Sequence, residues 1–146
     1  MPATIRPATE ADQVTIRRLI REANLNPMSL DWPNFVVAEQ DGGVVGIGQV
    51  KPHRDGSREL ASIAVVPAQQ GSGVGSAVIR TLLAREAGVL HLTCRRTMQG
   101  YYERFGFRRL EPAEFPRYFR RLIPIVNTFA RLRGIEIVVM RREAAS

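Results

Sequence analysis

The stretch Val65-Val66-Pro67-Ala68-Gln69-Gln70-Gly71-Ser72-Gly73-Val74-Gly75-Ser76 constrains this chain more than any other. An apolar run is stopped by a proline. A glycine-rich turn follows, and a helical apolar spacing then begins (Val74, Val78, Leu82). A strand must therefore enter a tight turn that opens directly into a helix. The first N–H groups of a helix lack internal partners, and the helix dipole adds partial positive charge there. Backbone alone thus makes an anion site, with glycines at 71, 73 and 75 letting a phosphate approach the amides. The same turn could instead do no more than pack a helix on a sheet.

Spacing separates the nucleotide-binding alternatives. A dinucleotide fingerprint needs G-x-G-x-x-G, but counting from Gly71 the sixth residue is Ser76, and from Gly73 it is Val78. A P-loop needs Gly-Lys-Ser/Thr, and the sole lysine is Lys51. What remains is Gln70-x-x-Gly73-x-Gly75. With the preceding Glu59-Leu60-Ala61-Ser62-Ile63-Ala64-Val65-Val66-Pro67 and the later Tyr101-Tyr102-Glu103-Arg104-Phe105-Gly106-Phe107, it resembles the GNAT superfamily of acetyl-CoA-dependent N-acetyltransferases. The likeness is motif-specific over about residues 59–76 and 98–107 and follows the layout of most of residues 1–110.

The rest of the chain is read as alternating strand and helix. Thr4–Arg6 is strand-like. Thr9 is a candidate N-cap for a helix over about residues 10–23. Asn24–Pro33 reads as a loop or a broken helix, punctuated by Pro27 and Pro33. Phe35–Glu39 and Val44–Lys51 are strands joined by an Asp41-Gly42-Gly43 hairpin turn, and Arg58–Val66 is the next strand. Then come a helix at Ser72–Glu86, a strand at Val89–Cys94, a short helix at Thr97–Phe105 and a strand at Phe107–Leu110. Phe115–Leu132 reads as a helix that Pro124 should kink or split, and Ile135–Met140 as a last strand. The expectation is one α/β (α+β) domain over residues 1–146, a mixed sheet of six to seven strands flanked by helices. By the resemblance, the cofactor lies at a splayed strand pair.

The resemblance also implies the chemistry. Backbone groups of Ile63, Ala64 and Val65 would pair with the pantetheine arm of acetyl-CoA. The amides of Gln70, Gly71, Ser72, Gly73, Val74, Gly75 and Ser76 would hold its pyrophosphate. Acetyl would pass directly to a primary amine. Tyr102 matches the tyrosine that protonates the leaving thiol, against the alternative of a core aromatic. Glu59 matches a general base, against a solvated carboxylate beside Arg58 or a backbone carbonyl near Ile63 serving instead. The stretch Glu59–Pro67 also looks like amino-acid N-acetyltransferases, the glutamate-acetylating kind included, so a small amino-acid-like acceptor is expected. Rival readings are a protein N-terminal or lysine acetyltransferase and a non-catalytic coenzyme A-binding sensor. Arg95-Arg96-Thr97-Met98 departs from the family's usual asparagine and small residue, leaving the arm contacts there open.

Composition narrows partners. The net charge of +7 is carried almost wholly by arginine, but aromatics are only 7% and no nucleic-acid module is visible, which ranks nucleic acid below a solvated surface or an anionic small ligand. Apolar stretches are too short to span a membrane. One cysteine, Cys94, fits a reducing cytoplasm. His91 lies three residues from Cys94, hence on the opposite strand face, so the pair makes no nucleophilic dyad, and Cys94 is read as buried. His53 is read as an exposed turn residue. Two histidines and one cysteine suggest no metal site. The segment Glu114–Gly134 is long for its place. It is read as core packing or a lid, with Arg117, Arg120 and Arg121 either wet or facing an acidic acceptor, and as one of two surfaces, with the last strand, open to a second copy.

Overall fold

A computed structural model describes residues 2–145. Among these residues, seven strands stand in the order β1-β2-β3-β4-β5-β7-β6. They are β1 (Thr4–Pro7), β2 (Phe35–Gln40), β3 (Gly43–Pro52), β4 (Arg58–Val65), β5 (Leu90–Arg95), β6 (Arg108–Arg109) and β7 (Ile137–Arg142). The α-helices are α1 (Gln13–Glu22), α2 (Val74–Arg85), α3 (Gln99–Glu103) and α4 (Arg117–Arg131). This is the mixed α/β architecture the sequence leads one to expect. The β4–β5 pair is parallel, while β1–β2, β2–β3, β5–β7 and β6–β7 run antiparallel.

The residues fall into two compact units. Among the described residues, one comprises residues 2–51 and 60–85, the other residues 52–59 and 86–145. In the first unit, Asp41 and Gly42 turn the β2–β3 hairpin with φ of 52° and 79°, the two left-handed residues of a tight hairpin turn. Side chains alternate across these strands. Phe35, Val37 and Ile47 point to one face, where they form a core with Ile16, Leu19 and Ile20 of α1. Gly46 and Gly48 point to the other, and their missing side chains admit α2. A β-carbon on Gly48 would lie 2.6 Å from Ile63 Cδ1 and from Val78 Cγ1. Ahead of α1, Asp12 accepts from the Thr9 N–H (2.7 Å) and from Arg6 (2.8 and 3.1 Å), and Arg6 also reaches Glu39 at 2.8 Å.

In the second unit, all six residues of β5 pair with β7, from Leu90 opposite Arg142 to Arg95 opposite Ile137. Leu110, Phe119, Ile123 and Val139 form its core, so α4 packs through Phe119 and Ile123. Pro124 does not split this helix, which runs unbroken through it. The proline is exposed, so the carbonyl it leaves unpaired can be met by water. Two other elements differ from expectation. The turn before α2 is longer, and β6 is only Arg108–Arg109. Among the described residues no helix is long and apolar enough to cross a membrane.

Candidate functional site

The glycine-rich turn takes a specific form. Pro67–Gln69 is a single 3₁₀ turn, and α2 begins at Val74, two residues later than the apolar spacing suggested. Gly71 and Gly73 stand at φ of 82° and 91°, a region that glycine enters without strain. Among the described residues, a β-carbon at either would meet nothing within 4 Å, so the space beside both Cα atoms is open. Ser72 bonds back to the Gln69 carbonyl through its hydroxyl, and Gln70 Nε2 donates to the Val65 carbonyl at 3.3 Å. Ala77 N–H donates to the Gly73 carbonyl at 3.0 Å and starts the helical ladder. The amides before it occupy the open, partially positive end of a twelve-residue helix.

The strand leading in is distorted at one point. Ser62 has φ of 60°, which a non-glycine residue adopts only under constraint. Its hydroxyl accepts from Gln49 Nε2 at 2.8 Å, and the same nitrogen donates to the carbonyl of Ser29 at 3.0 Å. Ser29 is itself left-handed, at φ of 58°. Gln49 is fully buried, with its Oε1 unpartnered. The backbone of Ile63–Val65 follows this distortion directly.

The second unit holds the titratable groups. Tyr102 is half-buried on α3, edge-on to Tyr101 (centroids 5.1 Å) and Phe107 (6.3 Å). Burial pushes its phenol up to about 12, with Cys94 and Tyr101 adding to the effect, so it keeps its proton throughout the neutral range. Tyr101 and Phe105 pack at 5.3 Å, as their spacing of four suggests. Cys94 is half-buried rather than buried. Its sulfur lies 3.8 Å from Met140 Sδ, and burial pushes the thiol up to about 11.

His53 corrects the sequence reading, and Glu59 loses one of its alternatives. Glu59 is not a solvated partner of Arg58, which instead makes a two-point pair with Glu86 at 2.6 and 3.0 Å. Glu59 is buried opposite His91 on the parallel β4–β5 ladder. His53 is not exposed. Its Nε2 lies 2.7 Å from Glu59 Oε1, and both side chains are only 9% accessible. The imidazole stacks on Tyr118 with centroids 3.6 Å apart and planes at 16°. Tyr118 N–H donates to Asp55 Oδ2 at 2.8 Å. Burial works against the Asp55 carboxylate. Hydrogen bonds from the Ser57 hydroxyl, the Tyr118 N–H and the Ser57 N–H outweigh it, with His53 adding, and hold the group at about 2. Burial, then Arg141, lowers the His91 imidazole below its ordinary range, so it is neutral at pH 7. His53 and Tyr118 were missed because their contact spans α4 and a distant turn. The one available signal was Asp55-Gly56, a turn pair that brings residues 53 and 59 close.

The arginines are dispersed. Arg120 donates to the Phe115 carbonyl at 3.1 Å, Arg96 pairs with Glu136, and Arg117 and Arg121 are exposed. Among the described residues, no group of three or more His, Cys, Asp or Glu is arranged to hold a metal ion.

A family profile described as "Acetyltransferase (GNAT) domain" matches residues 31–109. No curated protein sequence matches. Among solved structures, N-acetylglutamate synthase from Neisseria gonorrhoeae, complexed with coenzyme A and N-acetyl-glutamate, superposes with a TM-score of 0.75 at 22% identity. The match covers 99% of this chain and 35% of that one, so the chain spans about a third of the synthase. The ribosomal-protein-S18-alanine N-acetyltransferase of Escherichia coli matches with a TM-score of 0.69 at 18% identity, over 99% of this chain and 95% of that one. A protein from Mycobacterium tuberculosis, solved with CoA and NLQ, matches with a TM-score of 0.73 at 18% identity, over 97% and 99%.

Proposed function

Because the chain belongs to the GNAT acetyltransferase family, we propose that it moves an acetyl group from acetyl-CoA directly to a primary amine, without an acyl-enzyme. The observation that carries this reading is the run from left-handed Ser62 through the open, left-handed Gly71 and Gly73 into α2. The Ile63, Ala64 and Val65 backbone receives the pantetheine arm as an added strand. The amides from Gln70 to Ser76 receive the pyrophosphate. When bound, acetyl-CoA supplies an activated thioester carbonyl.

Glu59 takes a proton from the ammonium form of the acceptor, and the neutral amine then forms its bond to the acetyl carbon. As the carbon–sulfur bond breaks, Tyr102 gives its proton to the thiolate, the new amide nitrogen releases its second proton to solvent, and Tyr102 recovers a proton from solvent. A phenol near 12 is protonated at neutral pH, so the proton is present to be given. The high thiol value of Cys94 argues against a covalent detour through that residue.

For the acceptor we propose a small amino-acid-like amine. Support comes from the Neisseria synthase solved with N-acetyl-glutamate, of which this chain covers 35%. The cytoplasm, where acetyl-CoA is made, is the proposed location. The test is a panel of amino acids, simple amines and peptides, incubated with acetyl-CoA and read by mass spectrometry and thiol release. Acetylated product from at least one small amine is expected. Product only from peptides would move the acceptor to protein termini or lysines. Binding of acetyl-CoA with no turnover would make the chain a sensor.

A further inference from the structure

The carboxylate assigned as base does not stand alone. Glu59 Oε1 lies 2.7 Å from His53 Nε2. A carboxylate only accepts, so the hydrogen is on Nε2 and the imidazole donates. The ring is then held on two sides by α4. Tyr118 stacks on it at 3.6 Å, and Phe119 meets it edge-on at 5.8 Å and 83°. Tyr118 is in turn tied through its N–H to Asp55, in the same turn that carries His53. Asp55 is fixed by the N–H (2.9 Å) and hydroxyl of Ser57, and His53 N–H closes the turn on the Ser57 carbonyl at 2.9 Å. The contacts form a closed circuit from turn to ring to helix and back, which leaves the imidazole one orientation.

Among the described residues, His53 is the hydrogen-bond partner that holds the Glu59 carboxylate. His91 pairs with Glu59 in the strand register and is buried, and among the described residues neither of its ring nitrogens has a hydrogen-bond partner. With Oε1 engaged by His53, Oε2 is left to exchange a proton. A base held this way meets the geometric demand of proton transfer, where a misplacement of about 1 Å can cost roughly a hundredfold in rate.

We infer that His53 is the positioning residue of Glu59: clamped by Tyr118 and Asp55, it anchors Oε1 so that Oε2 is presented to the acceptor's ammonium group. The inference rests on the acetyl-transfer reading above. The proton passes from nitrogen to Oε2 and later to solvent; the Nε2–H stays on His53 throughout. On this view α4, in the segment of uncertain purpose in the sequence, walls the base.

The experiment compares wild type with His53→Phe, His53→Gln, Glu59→Gln and the His53→Phe/Glu59→Gln double variant, using the best amine of the panel. Phenylalanine keeps the stack on Tyr118 but removes the donor; glutamine keeps a donor. His53→Phe is expected to lower kcat by about 10- to 100-fold, with the acetyl-CoA KM unchanged within about twofold. His53→Gln is expected to recover most of that loss, and His53→Phe to cost nothing further in the Glu59→Gln background. A wild-type kcat in His53→Phe, a glutamine variant as slow as phenylalanine, or additive losses in the double variant would each overturn the inference while leaving the acetyl-transfer reading in place. If His53→Phe does not fold, Tyr118→Leu replaces it. That change leaves both dyad members and removes the stacked ring, and an unchanged kcat there overturns the inference equally. A wild-type chain that binds acetyl-CoA but acetylates nothing overturns both readings together.

Discussion

Replacing Gly48 with alanine tests how α2 is seated. The new β-carbon would lie 2.6 Å from Ile63 Cδ1, 2.6 Å from Val78 Cγ1 and 3.1 Å from Leu82 Cδ1. Ordinary carbon contacts sit near 3.5–4.0 Å, so two neighbours must each retreat by about 1 Å. The Ile63 terminal methyl can swing aside. Val78 cannot, because a β-branched residue in a helix has essentially one rotamer. Relief must therefore come from moving α2 outward. Overpacking of this kind costs about 1–3 kcal/mol. Part is offset by the roughly 0.4–1 kcal/mol that glycine-to-alanine changes gain in the unfolded chain. For a domain of this size the melting temperature should fall by about 2–8 °C. Circular dichroism melts of Gly48→Ala, Val78→Ala and the double variant would measure it. The two single changes should be non-additive by at least about 0.5 kcal/mol, because each relieves the other's cause. A Gly48→Ala melt within about 1 °C of wild type, or strict additivity, would refute the claim that the missing side chain seats the helix.

Three further outcomes are expected. Tyr102→Phe should lower kcat by about tenfold or more while leaving the acetyl-CoA dissociation constant within about twofold; calorimetry alongside steady-state rates separates the two. Asp55, at about 2 when folded against about 3.9 when unfolded, stabilises the fold above the unfolded value and loses that contribution as pH falls through the folded one. The gap in urea midpoint between wild type and Asp55→Asn should therefore be constant above about pH 5 and close toward pH 2; a gap unchanged at pH 2 would count against it. Cys94, raised to about 11, should react with iodoacetamide at pH 8 on the order of a hundredfold more slowly than an ordinary thiol, as read by intact mass.

Much of this was legible because it is local. The Asp41-Gly42 pair announced its hairpin through turn chemistry, and left-handed backbone at Gly71 and Gly73 follows from the residues themselves. The mixed sheet follows from a strand–helix–strand unit beside hairpins. What the chain concealed lies in contacts between distant residues. His53 reads as exposed because nothing near it in sequence is apolar enough to cover it; Tyr118 and Phe119 do so from α4. Arg58 reads as the neighbour of Glu59, yet strand alternation sends it to the other face, toward Glu86. Pro124 reads as a break, but a helix bound through Phe119 and Ile123 tolerates one missing hydrogen bond on its wet side. The half-burial of Cys94 depends on β7, which no pattern around the cysteine reveals.

Gln49 has a consequence for how the first unit loosens. One buried nitrogen donates both to the carbonyl of Ser29 and to the hydroxyl of Ser62. Each serine occupies a backbone region that costs an L-residue about 1–2 kcal/mol, and the shared donor helps hold both there. Neither can relax alone without stranding the amide in a dry interior. The loop around Ser29 and the strand after Ser62 should therefore open as one cooperative unit, with amide protons in the two segments exchanging at a common rate.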